Sequence, residues 1–383
     1  MEGFEKMKRK RICIDINSIT RLFVQGFLSG IGGTTLELIT ALSKIEDEIP
    51  FEIVLYSQNM KGIGGRNLNL SFKNKHLYFP HRENYDQFLC RYPVREIFTR
   101  YDLLHIPHNY ECVRCPEKTL VTLHDAMFYS YPEPFLVDEY MKSAITSLAG
   151  KAKGIVTCSE SSKRDILKYM NVADEKVTVI PWGVSTKQFF PESQENINRM
   201  KSNFSLNKPY FIMVSCNIGR KNTTMLMENF RNYMQNGGQY DLVLVWKNPP
   251  SELLNEYKKE IDEKRIHFAG GLSESDLRTM YSGATASFFP SKYEGFGLPI
   301  LESIACATPV VTCRNSSLEE VGKDIALYVN PDSCEEMSQC MLNFEAGKYD
   351  SNAFREKAML YIKDFSWENT ARKYVEFYQK YLD

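Results

Sequence analysis

The chain has 383 residues, too many for one ordinary domain and enough for two with well-filled cores. With 43% hydrophobic and 25% charged residues it has an ordinary globular composition, and a net charge of -1 argues against a nucleic-acid partner. No segment approaches 18 uninterrupted apolar residues, and the N-terminus MEGFEKMKRKRICIDI passes from basic residues into a strand without a signal-peptide core, so a cytoplasmic protein is expected.

Taken in chain order, short apolar runs alternate with amphipathic stretches. Arg11 to Ile16, Phe51 to Tyr56, Leu103 to Ile106, Thr119 to Leu123, Gly154 to Cys158 and Val177 to Ile180 read as strands. Helices are expected over Thr34 to Leu42, where Leu36, Ile39 and Leu42 share a face, and over Ser161 to Met170 behind a Ser-rich start. This βα alternation predicts a doubly wound parallel sheet. The pattern restarts with strands at Tyr210 to Val214, Asp241 to Trp246, Arg265 to Ala269, Ala284 to Phe289 and Pro309 to Thr312, and helices at Asn222 to Tyr233 and Ser273 to Tyr281. Two Rossmann-like α/β domains follow. The polar stretch Pro191 to Lys208 reads as a linker. The division expected is 1–185, a linker 186–208, a second domain 209–365, and a closing segment 366–383. In that closing segment Ala371, Val375, Tyr378 and Leu382 form one helical face.

The densest chemistry lies in Ser291 to Val311, SKYEGFGLPILESIACATPVV. Glu294 precedes Gly295 and Gly297, which let backbone approach a ligand, and Pro299 suits the start of a helix on whose first turn Glu302 would lie. Free N-H groups at a helix start attract phosphate, while carboxylates accept hydrogen bonds from hydroxyls, so the loop suits a phosphorylated sugar. Two glutamates eight residues apart are usually only solvated charges. Here a buried strand precedes them and another strand follows the helix, which is the setting of a parallel-sheet phosphate site.

Arg220 and Lys221 fall just past the first strand of the second domain, in SCNIGRKN, at the carboxyl edge where open α/β sheets bind ligands; adjacent cations there can clamp a diphosphate. His124 and Asp125 close TLVTLHD at the equivalent place in the first domain, suited to sugar contact or charge support. SGIGGTT, with Gly30, Gly32 and Gly33, is a second phosphate cradle of looser pattern, and without an acidic residue after the second strand it does not suggest a nicotinamide or flavin cofactor. Several of the ten cysteines, such as Cys13, Cys158, Cys216 and Cys306, sit in apolar runs and are expected as reduced buried thiols. His105, His108, Cys112 and Cys115 are of zinc-binding types, but structural zinc sites space their ligand pairs more widely. The basic run Lys6 and Lys8 to Arg11 is a solvated terminus or a weak attractor of an anionic membrane surface.

Together these segments resemble the retaining glycosyltransferases of the two-Rossmann GT-B architecture, family four. The likeness runs in order through SGIGGTT, VTLHDAMFYSYPEPF, VTCSESSKRDIL, VTVIPWGV, GRKN, RIHFAGGLSESDLRTMYSGATASFFPSKYEGFGLPILESIACATPVV and FSWENTARKYVEFY, nearly the whole chain. It implies a UDP- or GDP-sugar held in a cleft, mainly on the second domain, and a glycan or lipid-linked acceptor. Glu294 would bind hydroxyls of the transferred hexose, Phe296, Gly297 and Leu298 would offer backbone N-H groups, and Glu302 would bind the ribose. Arg220 and Lys221 would neutralise the diphosphate, Gly32 and Gly33 would approach it, His124 would contact the donor sugar, and the last helix would cross back onto the first domain. No D-x-D pair is present, so no catalytic metal and no cofactor are expected. Ser215 stands where the family often has glycine, and Ile218-Gly219 where a bulkier or acidic residue is common before the arginine. A nucleotide-sugar epimerase and a non-catalytic glycan-binding protein on the same fold remain the alternatives.

Overall fold

The computed structural model describes the chain except residues 1–8, 26–29, 81–87, 109–112, 133–138, 218 and 383. Lys6, Lys8, Cys112 and Ile218 therefore lie outside the described residues. The chain divides into one unit of Met1–Gly183 with Trp367–Asp383, and a second of Val184–Ser366.

The first unit holds seven strands: β1 (Arg11–Asp15), β2 (Glu52–Gln58), β3 (Lys73–Leu77), β4 (Leu103–Ile106), β5 (Thr119–Thr122), β6 (Gly154–Thr157) and β7 (Val177–Val179). All pair in parallel, in the order β3-β2-β1-β4-β5-β6-β7. Strand order reverses beside β1, as in a doubly wound sheet, and crossover helices cover the faces because a parallel sheet must bury both. Strand β3, KNKHL, is absent from the sequence expectation. It is an edge strand, and its lysines at alternate positions are what a protected edge carries in place of an apolar run.

The helix Glu160–Met170 starts where a side chain can satisfy it: Ser159 Oγ accepts the Ser162 N-H at 3.0 Å. The helix Gly30–Lys44 begins earlier than expected, so Gly32 and Gly33 lie in its first turn rather than in a loop before it. The last helix, Trp367–Leu382, places Trp367, Ala371, Tyr374 and Tyr378 in the core with Ile12, Ile14, Leu38 and Leu42. Tyr378 OH lies 2.7 Å from His105 Nδ1, and His105 Nε2 lies 2.9 Å from Thr122 Oγ1. Nδ1 of His105 thus helps seat this helix, while Nε2 is held from β5.

The second unit holds β8 (Tyr210–Val214), β9 (Asp241–Val245), β10 (Ile266–Ala269), β11 (Ala286–Phe289), β12 (Val310–Thr312) and β13 (Leu327–Tyr328), parallel and ordered β10-β9-β8-β11-β12-β13. Its reversal falls between β8 and β11. Residues 186–208, expected as a linker, instead belong to this unit and contain the helix Gln194–Asn203, capped by Ser193 Oγ. Ile197 and Met200, one turn apart, bury that helix, and Met200 and Leu206 join the core around Tyr210 and Tyr281. Two apolar residues in a polar segment suffice here because they share a face. Cys13, Cys158, Cys216 and Cys306 are free thiols as expected, while Cys90 is disulfide-bonded. Among the described residues no helix is long and apolar enough to cross a membrane.

Candidate active site

The loops leaving β8 and β11 are neighbours at the switch point of the second sheet, where an open α/β sheet forms its crevice. The loop after β8 is sharply bent: Ser215, Gly219 and Asn222 all have φ between 60° and 83°. Ser215 therefore adopts the left-handed backbone that glycine takes without steric cost, which accounts for glycine at that place in the resembled family. Asn222 caps the entry to the helix Thr223–Gln235, and its side chain donates to Pro331 O at 2.6 Å. This bend presents Arg220 and Lys221 toward the loop after β11, to which Lys292 N-H ties the Arg220 carbonyl at 2.8 Å.

Glu294 receives both cations. Arg220 Nη1 lies 2.7 Å from Oε2 and Lys221 Nζ lies 2.7 Å from Oε1; all three side chains are largely buried, Glu294 at 8% exposure. Arg220 Nη1 also donates to Tyr293 O at 2.8 Å, and Lys221 Nζ stands 4.7 Å from the Phe289 ring centroid. The backbone of the Glu294 loop is held from the segment after β12: Ser317 Oγ donates to Glu294 O and Phe296 O at 2.9 Å, and Glu294 N-H donates to Ser316 Oγ at 3.0 Å. Neither serine was singled out from sequence, because small polar residues after a strand carry no local sign of a partner twenty residues away.

Gly297 caps the helix Leu298–Ala305 with φ 101°, and a Cβ there would stand 3.0 Å from Leu318 Cδ2. Only glycine fits without strain. Pro299, the second helical residue, has no N-H, and Ile300 N-H donates to Gly297 O, so the donors available at this helix start narrow to Gly297 and Leu298. Glu302 is the fifth residue of the helix, one residue deeper than expected. Its Oε2 accepts the Tyr281 hydroxyl at 3.1 Å, and burial pushes its pKa up to about 7, against the opposing pull of Tyr281 and Lys221. Gly270, after β10, allows backbone contact with the loop after β9, since a Cβ would meet Lys247 Cα at 2.7 Å.

In the first unit His124 follows β5, is 8% exposed, and packs edge-on against Trp182 at 5.2 Å. Neither ring nitrogen has an aligned hydrogen-bond partner among the described residues. Burial and the neighbouring His108 lower its pKa to about 4, with the Pro107 carbonyl offsetting a little, so the ring is neutral near pH 7. Thr34, Thr35, Thr122, Trp182 and Tyr374 line a small pocket with it. Beside Gly33 a Cβ would meet nothing within 4 Å, leaving its surface open. Among the described residues no group of three or more His, Cys, Asp or Glu side chains is placed to hold a metal ion.

Two α/β units, with two cations paired on one carboxylate at the switch point of the second sheet, are what the structure brings together. Comparison with known proteins supplies the class. A family model described as Glycosyl transferases group 1 matches residues 194–359, and one described as Glycosyltransferase Family 4 matches residues 29–188. The chain belongs to the GT-B glycosyltransferases. It is 25% identical over 374 residues to the O-antigen chain mannosyltransferase B of Escherichia coli, covering 92% of this chain and 96% of that one. It is 28% identical over 227 residues to the O-antigen chain mannosyltransferase RfbU of Salmonella typhimurium, covering 59% of this chain and 60% of that one. The crystal structure of Anabaena HepE in complex with UDP-glucose shares the fold, with a TM-score of 0.70 at 14% identity over 97% of this chain and 99% of that one.

Proposed function

We propose that the protein is a retaining, metal-independent hexosyltransferase of surface-polysaccharide synthesis, moving a hexose from a UDP- or GDP-sugar to a glycan or lipid-linked acceptor. Mannose from GDP-mannose heads the candidates because two relatives are named as O-antigen mannosyltransferases. The observation that carries the reading is the pairing of Arg220 and Lys221 on one carboxylate, Glu294, at the switch point of the second sheet. Departure of a nucleoside diphosphate puts negative charge on the β-phosphate and positive charge on the anomeric carbon, so catalysis rests on cations aimed at the leaving group. In this reading the phosphates draw Arg220 and Lys221 away from Glu294, which frees the carboxylate for sugar hydroxyls. Backbone N-H groups of Phe296, Gly297 and Leu298 assist, and Glu302 binds the ribose.

The bond from the anomeric carbon to the phosphate oxygen breaks with its electron pair on phosphate. The acceptor hydroxyl forms the new bond on the same face and gives its proton to that phosphate. Two cations already supply the charge that a metal would supply, which is the reason to expect activity without one. We place the enzyme in the cytoplasm, at the inner face of the membrane if the basic terminus touches lipid.

Incubation with GDP-mannose, UDP-glucose, UDP-galactose and UDP-N-acetylhexosamines, with lipid-linked glycan acceptors and with EDTA, tests this. Release of nucleoside diphosphate with a new glycosidic linkage is expected, and EDTA should not slow it. Replacing Arg220, Lys221 or Glu294 by Ala should each cost on the order of 10² to 10³ in rate. Near-wild-type turnover of those variants would refute the assignment, and an isomerised donor without acceptor would favour an epimerase.

A further inference from the structure

Glu302 is gripped by a residue to which the reading above gives no role. Tyr281, on the helix Glu274–Gly283, is fully buried, and its hydroxyl donates to Glu302 Oε2 at 3.1 Å. Its backbone carbonyl accepts from Thr308 Oγ1 at 2.6 Å, and its ring packs edge-on against Phe189 at 6.2 Å. Glu302 Oε1 has no hydrogen bond among the described residues. An unrestrained glutamate on a helix samples several rotamers, and each one frozen by a ligand weakens binding.

We propose that Tyr281 is a positioning residue for the nucleotide: it clamps Glu302 by one oxygen and so presents Oε1, with the remaining lone pair of Oε2, as preset acceptors for a vicinal diol such as ribose. This rests on the assignment of Glu302 to the ribose. The same hydrogen bond favours the ionised carboxylate, which burial otherwise disfavours. The titratable and charged groups facing the pair are Lys221 from the loop after β8, Cys306 just past the helix of Glu302, and Cys216 near Tyr281. Lys221 is the one cation among them, so the tyrosine and the lysine together hold the charge.

The test is calorimetric binding of UDP and of GDP between pH 6 and pH 9 to the wild type, Tyr281→Phe and Glu302→Gln, with melting temperature followed in parallel. Wild-type affinity should weaken as pH falls through about 7, where Glu302 takes up a proton and loses an acceptor. In Tyr281→Phe the weakening should begin at least half a pH unit higher, with affinity near pH 7 down about tenfold, as for loss of one hydrogen bond to a charged group. Protonation of the nucleotide phosphate near pH 6 is common to all three proteins and cancels in the comparison. A Tyr281→Phe profile that superimposes on the wild type, or one lowered equally at every pH together with a lower melting temperature, overturns the proposal. Glu302→Gln separates the two levels. If it flattens the pH dependence while Tyr281→Phe does not move it, the tyrosine assignment alone fails. If Glu302→Gln changes neither affinity nor profile, or the wild type binds neither nucleotide, the ribose assignment fails and takes this inference with it.

Discussion

Glu302 shows most directly how a buried carboxylate opposes the fold that carries it. Its pKa is raised to about 7 from 4.5, because burial disfavours the carboxylate more than Tyr281 and Lys221 favour it. Between those two pH values the folded chain holds a proton that the unfolded chain has released. Stability contributed at this site therefore falls as pH rises through the window, and the full cost stands above pH 7. Glu302→Gln should accordingly be more stable than the wild type at pH 8, by on the order of 1–3 kcal/mol, and no different at pH 3.5, below both pKa values. Calorimetry at the two pH values decides; equal melting at pH 8 would mean that the carboxylate is well solvated. Gly297 is the opposite case, where function and fold ask for the same atom count. With φ at 101° and Leu318 Cδ2 at 3.0 Å from a Cβ, Gly297→Ala should lose about 1–3 kcal/mol and weaken nucleotide binding as the helix start shifts. Chemical denaturation combined with UDP or GDP titration checks both. Gly297 was legible because a glycine before a proline-started helix has few other uses. Tyr281 was not, since nothing local in LRTMYSG distinguishes a tyrosine that meets a carboxylate twenty-one positions on from one that only packs.

At the scale of elements, the expectations held where a period was strong and failed where it was thin. Strands β1, β2, β4 and β8 bury continuous apolar runs, and such runs can hardly be anything but central parallel strands. Strand β3 is polar because it is an edge, and β13 is only two residues long, so neither had a pattern to find. The helix Gln194–Asn203 looked like linker because its composition is polar, although Ile197 and Met200 one turn apart already marked a buried stripe. The last helix was expected with the correct inward face and against the first domain, but the sequence alone could not show which residue of that domain it meets. Tyr378 meets His105, whose ring is fully buried and has its pKa lowered to about 3 by desolvation, so it stays neutral. Tyr378→Phe removes the partner of Nδ1 and leaves a buried polar atom unsatisfied, at a cost of about 1–3 kcal/mol. Urea unfolding should show that loss with an unchanged slope, whereas Tyr378→Ala, which also opens a cavity, should lose about 3–5 kcal/mol. A Tyr378→Phe protein as stable as the wild type would show that solvent or a neighbour takes over Nδ1.

At the scale of the molecule the two units are built differently with respect to the chain, and that difference makes a prediction. The second unit is one continuous segment, 184–366, whose ends are joined by a hydrogen bond from Val184 N-H to Phe365 O at 2.8 Å. It carries its own six-stranded sheet and all of Arg220, Lys221, Tyr281, Glu294, Gly297 and Glu302. The first unit is completed only by residues from the far end of the chain: Trp367, Ala371, Tyr374 and Tyr378 fill the core of its sheet. Losing a buried aromatic side chain costs about 3–5 kcal/mol, and three of them together match or exceed the roughly 5–15 kcal/mol that holds an ordinary domain folded. Residues 184–366 expressed alone should therefore melt cooperatively and still bind UDP or GDP. Residues 1–183 alone should lack a cooperative transition and regain one when a peptide of residues 367–383 is added. Circular dichroism melts of the two fragments, with and without the peptide, read both outcomes. A cooperative melt from 1–183 by itself would mean that its sheet closes its own core and that the last helix is an attachment; a fragment rescued by the peptide shows instead that synthesis must reach the final residues before the first half of the chain can finish folding.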